Sequence, residues 1–461
     1  MPAQTVNIAG GGLAGALLAV LLARRGVAVR LFERRPDPRD HAADTGRSIN
    51  LALAARGIRA LDHAGLMEQI RPVMLPMRGR MIHEPHAAAP PRLLAYGQRD
   101  SEVIYSVGRA ALNRVLIEAA AQYPHVQLRF DATCAEADPA RGSLTVQDNR
   151  TGALRVFTDA VTIGTDGAGS AIRASLARAG QLVVTELPLE HDYKELHIPP
   201  RDGGYALDPN ALHVWPRHGY MLIALPNPDR SFTATLFLPQ SGDPGFNTLR
   251  SDSAVQDFFR REFASAAALI PDLAAQFRAH PQGHLGTIRT EPWARGPVLL
   301  LGDAAHAIVP FHGQGMNAAF EDCAVLDSML EHDGGAAPDW PAIFARFYEA
   351  RRRDADAIAQ MALENYAEMR SAVLDERFLR QKAWALQLER LYPERFIPRY
   401  AMVMFHPEIS YSEALRRGAV QQQILDVLDD DAGWDKNAVG APSPLSATQL
   451  AHADRLITER L

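Results

Sequence analysis

The chain has 461 residues, of which 47% are hydrophobic and 22% charged, with a formal net charge of -6. That length exceeds one small core and suggests two or three structural units, and the composition is that of a globular rather than a disordered protein. An acidic balance with no basic patch argues against nucleic acid or an anionic membrane as a partner, and two distant cysteines, Cys134 and Cys323, offer neither a disulfide framework nor metal-ligand spacing, so no metal site is expected.

Thr5 to Ala9 reads as a short strand and is followed by Gly10-Gly11-Gly12-Leu13-Ala14-Gly15, then by a small-residue helix from about Ala14 to Arg25 that Gly26 ends. The longest early apolar run, Leu13 to Ala23, is too short to span a bilayer and has no basic stretch ahead of it. The C-terminal SATQLAHADRLITERL shows no anchor, so a cytoplasmic protein is expected. A second strand, Val27 to Phe32, finishes at Glu33, 33 − 10 = 23 positions after the first motif glycine. Strand, glycines, helix, strand and acid in this order form a βαβ unit in which a nucleotide diphosphate sits on the helix N-terminus and the acid holds a ribose hydroxyl. A carboxylate there accepts from a free 2′-hydroxyl and repels a 2′-phosphate, so the tightly held nucleotide is FAD or NAD rather than NADP. Arg34 and Arg35 either flank that nucleotide or form a solvated surface pair.

From Gly46 to Ala60 a polar turn leads into an apolar-periodic helix. Met77 to Ile82 and Val103 to Val107 alternate in polarity as strands do, and Arg78 and Arg80, two residues apart, should share one strand face. The pattern predicts a helix over 109–121 with Arg109 in its first turn, unfavourable against the helix dipole unless an anion compensates. Arg109 is therefore a phosphate candidate, with a salt bridge to a nearby carboxylate as the open alternative.

Val161 to Gly167 is a buried strand ending in Asp166-Gly167, with Ser170 and Arg173 opening the next helix. Between about 185 and 290 the texture changes to alternating strands, Ala211 to Trp215, Tyr220 to Leu225 and Ser231 to Leu238, the last two joined by the turn Pro226 to Arg230. Val298 to Leu301 is an unbroken apolar run ending at Gly302-Asp303, as a strand buried on both faces reads when it stops at a ligand. Pro310-Phe311-His312-Gly313-Gln314-Gly315-Met316-Asn317 then opens a helix whose first N–H groups are unpaired and suit negative charge. After Asn317 the chain is almost all helical, and Asn365, Glu368 and Met369 fall along one helix side at i, i+3 and i+4.

Gly10, Gly12 and Gly15 with Glu33, then Asp166-Gly167, then Gly302-Asp303 with Gly313-Gln314-Gly315, together resemble the single-component FAD-dependent aromatic hydroxylases of the para-hydroxybenzoate hydroxylase type. The resemblance covers most of the chain. It implies an α/β fold: a Rossmann-type FAD-binding domain, an inserted β-sheet substrate domain and a C-terminal helical region. The expected division gives the FAD-binding domain 1–75, 106–184 and 291–335, the substrate domain 76–105 and 185–290, and the helical region 336–461. Gly46 to Leu53, Met77 to His83, Asp192 to Leu196, Pro310 to Asn317, Glu364 to Tyr366 and Phe396 to Tyr400 are most similar to the branch that acts on L-kynurenine, and to soluble bacterial forms without a C-terminal membrane segment.

The resemblance implies tightly bound FAD, transient NADPH, and O2, with hydroxylation of L-kynurenine to 3-hydroxy-L-kynurenine in tryptophan degradation by way of a flavin C4a-hydroperoxide. It places Gly10, Gly12, Leu13, Ala14, Gly15, Glu33, Arg34, Arg35, Ala52, Arg109, Cys134, Asp166, Asp303, Gly315, Met316 and Asn317 around FAD. The N–H groups near Gly315-Met316-Asn317 suit the anionic edge of reduced flavin. Phe311 and His312 would wall the reacting face, His312 having the alternative of a helix-entry residue with no chemical role. L-Kynurenine carries an α-carboxylate and an α-ammonium, so its site needs a fixed cation, hydroxyl donors and apolar walls. By match to the family Arg80 is the carboxylate clamp, with Arg78 as its rival, helped by Tyr96, Asn365 and Tyr400 and lined by Met369. Glu368 either pairs with the ammonium or is a solvated helix carboxylate. A monomer or homodimer is expected. The alternatives are a salicylate- or hydroxybenzoate-like substrate on the same fold, separated by whether kynurenine stimulates NADPH oxidation, and a non-catalytic FAD redox module that consumes no NADPH.

Overall fold

The computed structural model describes residues 5–40, 50–85, 90–158, 161–331, 338–370, 375–430 and 444–461. The turn expected at 46–49 lies outside them. The chain forms two compact units, one of Met1–Leu75, Tyr105–Leu189 and His284–Ala362, the other of Pro76–Ile104, Glu190–Gly283 and Leu363–Leu461.

The first unit is built on a six-stranded sheet of order Ala294–Arg295, Val298–Leu300, Val161–Gly164, Val6–Ala9, Val29–Phe32, Val126–Arg129. All pairings are parallel except the short edge strand Ala294–Arg295. Val6–Ala9, Val161–Gly164 and Val298–Leu300 are buried throughout, and Val298–Leu300 is apolar without alternation, whereas the other two strands bury Asn7 and Thr162. Helix Leu13–Arg24 buries ten of its twelve residues, and Gly26, at φ 77°, takes the left-handed turn that stops it. Asn50–Leu53 is a strand, so the chain pairs before helix Ala55–His63 begins rather than turning directly into it.

The second unit contains most of a seven-stranded sheet of order Gln282–Glu291, Val183–Ile198, Phe232–Pro239, Met221–Pro226, Leu212–Pro216, Gly79–Ile82, Arg92–Ala95, the first two strands being those within which the unit division falls. The strands over 212–239 pair antiparallel, and Leu212–Pro216 runs parallel to Gly79–Ile82. Leu196, Trp215, Leu222, Phe232, Leu236 and Leu238 form a core with Val255, Phe258 and Phe259 of helix Asp252–Glu262. That helix and the shorter Ala264–Ala267 and Leu273–Ala279 stand inside the stretch expected to be strands alone. A second core gathers Trp384, Leu388, Phe396, Ile424, Leu428, Leu456 and Ile457 from the C-terminal helices. These helices are not a third unit: Trp340–Arg370 contributes to both, divided after Ala362.

The alternating run expected as one strand over 77–82 is two, Met74–Met77 and Gly79–Ile82, which join different sheets. Alternation reports which face a side chain takes, not which strand it pairs with. Arg78, at the break, is exposed, whereas Arg80 is 4% exposed, so the two do not share a face.

Candidate functional site

In the first unit, the sequence Gly10 to Gly15 makes room for close backbone packing on one side and leaves open space on the other. At Gly10, φ is 104° and a Cβ would lie 2.6 Å from the Thr165 carbonyl oxygen; at Gly15 one would lie 2.0 Å from the Gly10 carbonyl oxygen. At Gly12, by contrast, a Cβ would meet nothing within 4 Å. Gly12 caps helix Leu13–Arg24 without a side-chain cap, and the first turn holds no acidic residue, so the helix start is open to an anion. Asn113 Nδ2 donates to the Gly11 carbonyl at 2.9 Å and fixes the loop from a helix that the motif does not include.

Glu33 is buried at the end of its strand and accepts from the Gly11 N–H at 2.9 Å and from Arg35 N and Nε, both at 3.0 Å. Arg35 is thus Glu33's partner, while Arg34 is exposed and its carbonyl accepts from Asn149 Nδ2. The Cys134 thiol is pushed up by burial, with Asp166 and Glu33 adding to the effect, which places those three together. Asp166 accepts from Ser170 Oγ at 2.6 Å and from the N–H groups of Ala171 and Ile172, so its carboxylate holds the start of helix Ala171–Arg178.

Asp303 opens the one-turn helix Asp303–His306 that follows strand Val298–Leu300. Its side chain reaches solvent, yet burial raises its pKa against the opposing pull of His306 and Arg109. Arg109, in the first turn of Arg109–Ala121, is exposed and has no ion-pair partner among the described residues; its charge is felt at Asp303. A Cβ at Gly315 would lie 3.9 Å from Asp303 Oδ1, one at Gly313 3.0 Å from Ala52 Cβ, and one at Gly302 3.8 Å from Ala14 Cβ. Asn317 binds these pieces: its Nδ2 donates to the carbonyls of Ala52 and Gly313, both at 2.8 Å, and its Oδ1 accepts from Ala54 N at 2.9 Å. Leu13, Phe311 and His312 are buried and Met316 half-buried. Ala14, Ala52, Arg109, Asp303, Gly315 and Asn317 therefore belong to one corner of the unit. The donor set fits FAD: an uncapped helix start for the diphosphate, Glu33 for a ribose, Asp303 for polyol hydroxyls, and a second helix start at Gly315 for the flavin's anionic edge.

The second unit carries a separate polar cluster. Arg80 Nη1 donates to Glu368 Oε1 at 2.8 Å and Nη2 to Asn365 Oδ1 at 3.2 Å, and the Arg80 guanidinium carbon lies 5.0 Å from the centre of the Tyr400 ring and 6.0 Å from that of Tyr96. The two tyrosine rings stack at 5.4 Å. Asn365 Nδ2 donates to Met369 Sδ at 3.4 Å. Burial opposes the charge on Arg80, but the Glu368 carboxylate beside it favours the charged form and the guanidinium stays charged. Burial also pushes both tyrosine hydroxyls up, so they remain neutral donors. Arg80 Nε and the Tyr96 hydroxyl are buried and make no hydrogen bond among the described residues. Glu368, read from sequence as either an ammonium partner or a solvated carboxylate, is the ion-pair partner of Arg80, with its side chain 26% exposed. Sequence spacing gave no sign of Lys382, whose pKa is lowered to about 8 by burial and by Arg80, with Glu368 opposing.

Cys134 and Cys323 are free and buried, and among the described residues no helix is long and apolar enough to cross a membrane. Residues 3–360 match the FAD binding domain family. The chain is 47% identical over 424 residues to kynurenine 3-monooxygenase of Xanthomonas campestris pv. campestris strain 8004, covering 92% of this chain and 91% of that protein. To the enzyme of the same name from Myxococcus xanthus strain DK1622 it is 43% identical over 464 residues, 99% and 98% of the two chains. Among solved structures it shares the fold of the tetrameric form of 2-methyl-3-hydroxypyridine-5-carboxylic acid oxygenase, with a TM-score of 0.63 and 20% identity over 80% of this chain and 93% of that one. Pseudomonas aeruginosa PqsL in complex with 2-aminobenzoylacetate is similar at a TM-score of 0.61 and 19% identity, over 81% and 99%.

Proposed function

The chain belongs to the kynurenine 3-monooxygenase family of FAD-dependent aromatic hydroxylases, and on that premise we propose that it converts L-kynurenine, NADPH, O2 and a proton into 3-hydroxy-L-kynurenine, NADP⁺ and water. When bound, FAD supplies the electron transfer from NADPH and the activation of O2. In the first unit the helix start at Gly12 and Leu13 receives the diphosphate, Glu33 the ribose and Asp303 the ribityl chain. The N–H groups of Gly315, Met316 and Asn317 would meet negative charge on the bound flavin. Phe311 and His312 exclude water from it.

In the second unit the α-carboxylate is received by Arg80 through its open Nε side, with the Tyr96 and Tyr400 hydroxyls as further donors. Glu368 and the Asn365 carbonyl oxygen accept from the α-ammonium, and Met369 with the two tyrosine rings supplies apolar wall. The observation that carries this reading is the buried guanidinium already holding a carboxylate and still presenting an unpaired N–H beside an unpaired hydroxyl. A plain aromatic acid has no ammonium to meet the Glu368 carboxylate, which favours an amino acid over a hydroxybenzoate. No general base is needed, because the ring amine activates the carbon ortho to it.

The test is to purify the protein, record its flavin spectrum, and follow NADPH and O2 use with and without L-kynurenine. Arg80→Ala should retain FAD, weaken kynurenine binding at least tenfold and uncouple NADPH use. Unchanged kynurenine binding in that variant removes the assignment.

A further inference from the structure

The Asp303 side chain makes no hydrogen bond among the described residues, and the residue stands on a single helical turn, Asp303–His306. One turn has no cooperative stability, so its position must come from what its other residues hold. Arg173 Nη1 donates to the Ala304 carbonyl at 2.9 Å. At the turn's far end His306 is buried, packs on Trp293 with ring centres 4.7 Å apart, and meets Asp322 Oδ2 through Nε2 at 2.7 Å.

Asp322 lies on helix Gly315–Glu331, seven residues after Gly315, so this bond ties the Asp303 turn to the helix whose start faces Asp303. Asp322 is itself fixed: Arg351 Nε donates to its Oδ1 at 2.7 Å, Arg351 Nη2 lies 2.8 Å from Glu321 Oε2, and Arg56 Nη1 donates to Glu321 Oε1 at 2.7 Å. Every member of the chain is buried. The mechanism uses none of these groups, and ion pairs in a core give little net stability for their desolvation cost, so a specific geometric role accounts better for their presence.

We infer that His306 is a positioning residue for FAD: its hydrogen bond to Asp322 sets the spacing between the Asp303 carboxylate and the helix start at Gly315, the two groups that must meet one cofactor. The inference rests on FAD occupying this corner. Its step is purely conformational; no bond is made or broken.

The experiment measures the FAD dissociation constant of each apoprotein by flavin fluorescence, together with the apoprotein melting temperature. His306→Phe keeps a ring against Trp293 but cannot donate to Asp322, and Asp322 keeps Arg351; His306→Ala removes both contacts. His306→Gln can restore the donor. Both Phe and Ala variants should bind FAD at least tenfold more weakly, and Gln within threefold of the parent, with the His306→Phe apoprotein melting within a few degrees of the parent. FAD affinity unchanged in His306→Phe overturns the inference. So does an affinity loss that merely tracks the melting temperature, or failure of the Phe and Ala variants to fold while Gln folds, since each marks a structural role only. A parent chain that bound no FAD would instead refute the placing of the cofactor.

Discussion

Two side chains in the Arg80 cluster stand in an expensive state. A buried donor without a partner costs on the order of 1–3 kcal/mol, and Arg80 Nε and the Tyr96 hydroxyl are both of this kind. The cost falls on the free protein and is relieved when an acceptor arrives. Tyr96→Phe should therefore leave the melting temperature unchanged or raise it while increasing the Michaelis constant for kynurenine about five- to tenfold; a variant that melted lower with unaltered affinity would show the hydroxyl to be structural. Lys382 should make a pH-dependent contribution to kynurenine binding. Its pKa of about 8 lies below the usual lysine value because burial and Arg80 disfavour the charge, so it is a cation at pH 7 and mostly neutral at pH 9. Affinity for a carboxylate should fall across that range in the parent. The substrate's own titration is common to both proteins, so the ratio of parent to Lys382→Met affinity isolates the lysine, and a ratio independent of pH would exclude it from the site.

Single elements show which parts of the corner depend on packing that no motif specifies. The strand, glycine turn, helix and acid from Val6 to Glu33 are contiguous, so spacing alone reveals them. Asn317 is different: as one residue of a helix start it suggested only backbone N–H groups, yet its side chain fastens that start to Ala52 and Ala54 across more than 260 residues of sequence. Asn113 on Gly11 and Glu368 on Arg80 are long-range in the same way and left no local trace. Asn317→Ala removes three hydrogen bonds at a buried position, about 2–4 kcal/mol at the usual cost per bond. The helix itself should persist, since most of its stability is tertiary. Urea denaturation should show the loss, and FAD should dissociate more readily; a variant with parental FAD affinity would mean that the helix start is held in place without the amide.

At the scale of the whole chain, the division into a nucleotide-binding part and a sheet-rich part could be read because strands buried on two faces look unlike strands buried on one. The helices within residues 252–279 were missed because Phe258, Phe259 and Phe263 carry strand-forming side chains at helical spacing, and neighbouring strands biased the reading. Nor could pattern reveal that the second unit buries a pair of hydrogen-bonded imidazoles. His83 Nε2 meets His213 Nδ1 at 2.9 Å, His213 Nε2 meets the Asp208 carbonyl at 2.9 Å, and His83 stacks on Trp215 at 4.0 Å. His213 Nε2 must donate to a carbonyl, and in the neutral ring that burial favours its Nδ1 then accepts from His83 Nε2. Burial and then His213 and Arg217 depress His83 to about 3, and burial lowers His213 as well. For His83 the unfolded chain thus binds more protons than the folded one between about pH 3 and pH 6.5, so the stability this ring contributes is intact above that window and is lost as the pH falls through it. Between pH 7.5 and pH 5 the loss should be about 2 kcal/mol for His83 alone, read as a melting temperature several degrees lower. His83→Gln can still donate to His213 but does not titrate, so its decline over the same range should be shallower, and parallel declines in the two proteins would place the acid sensitivity elsewhere.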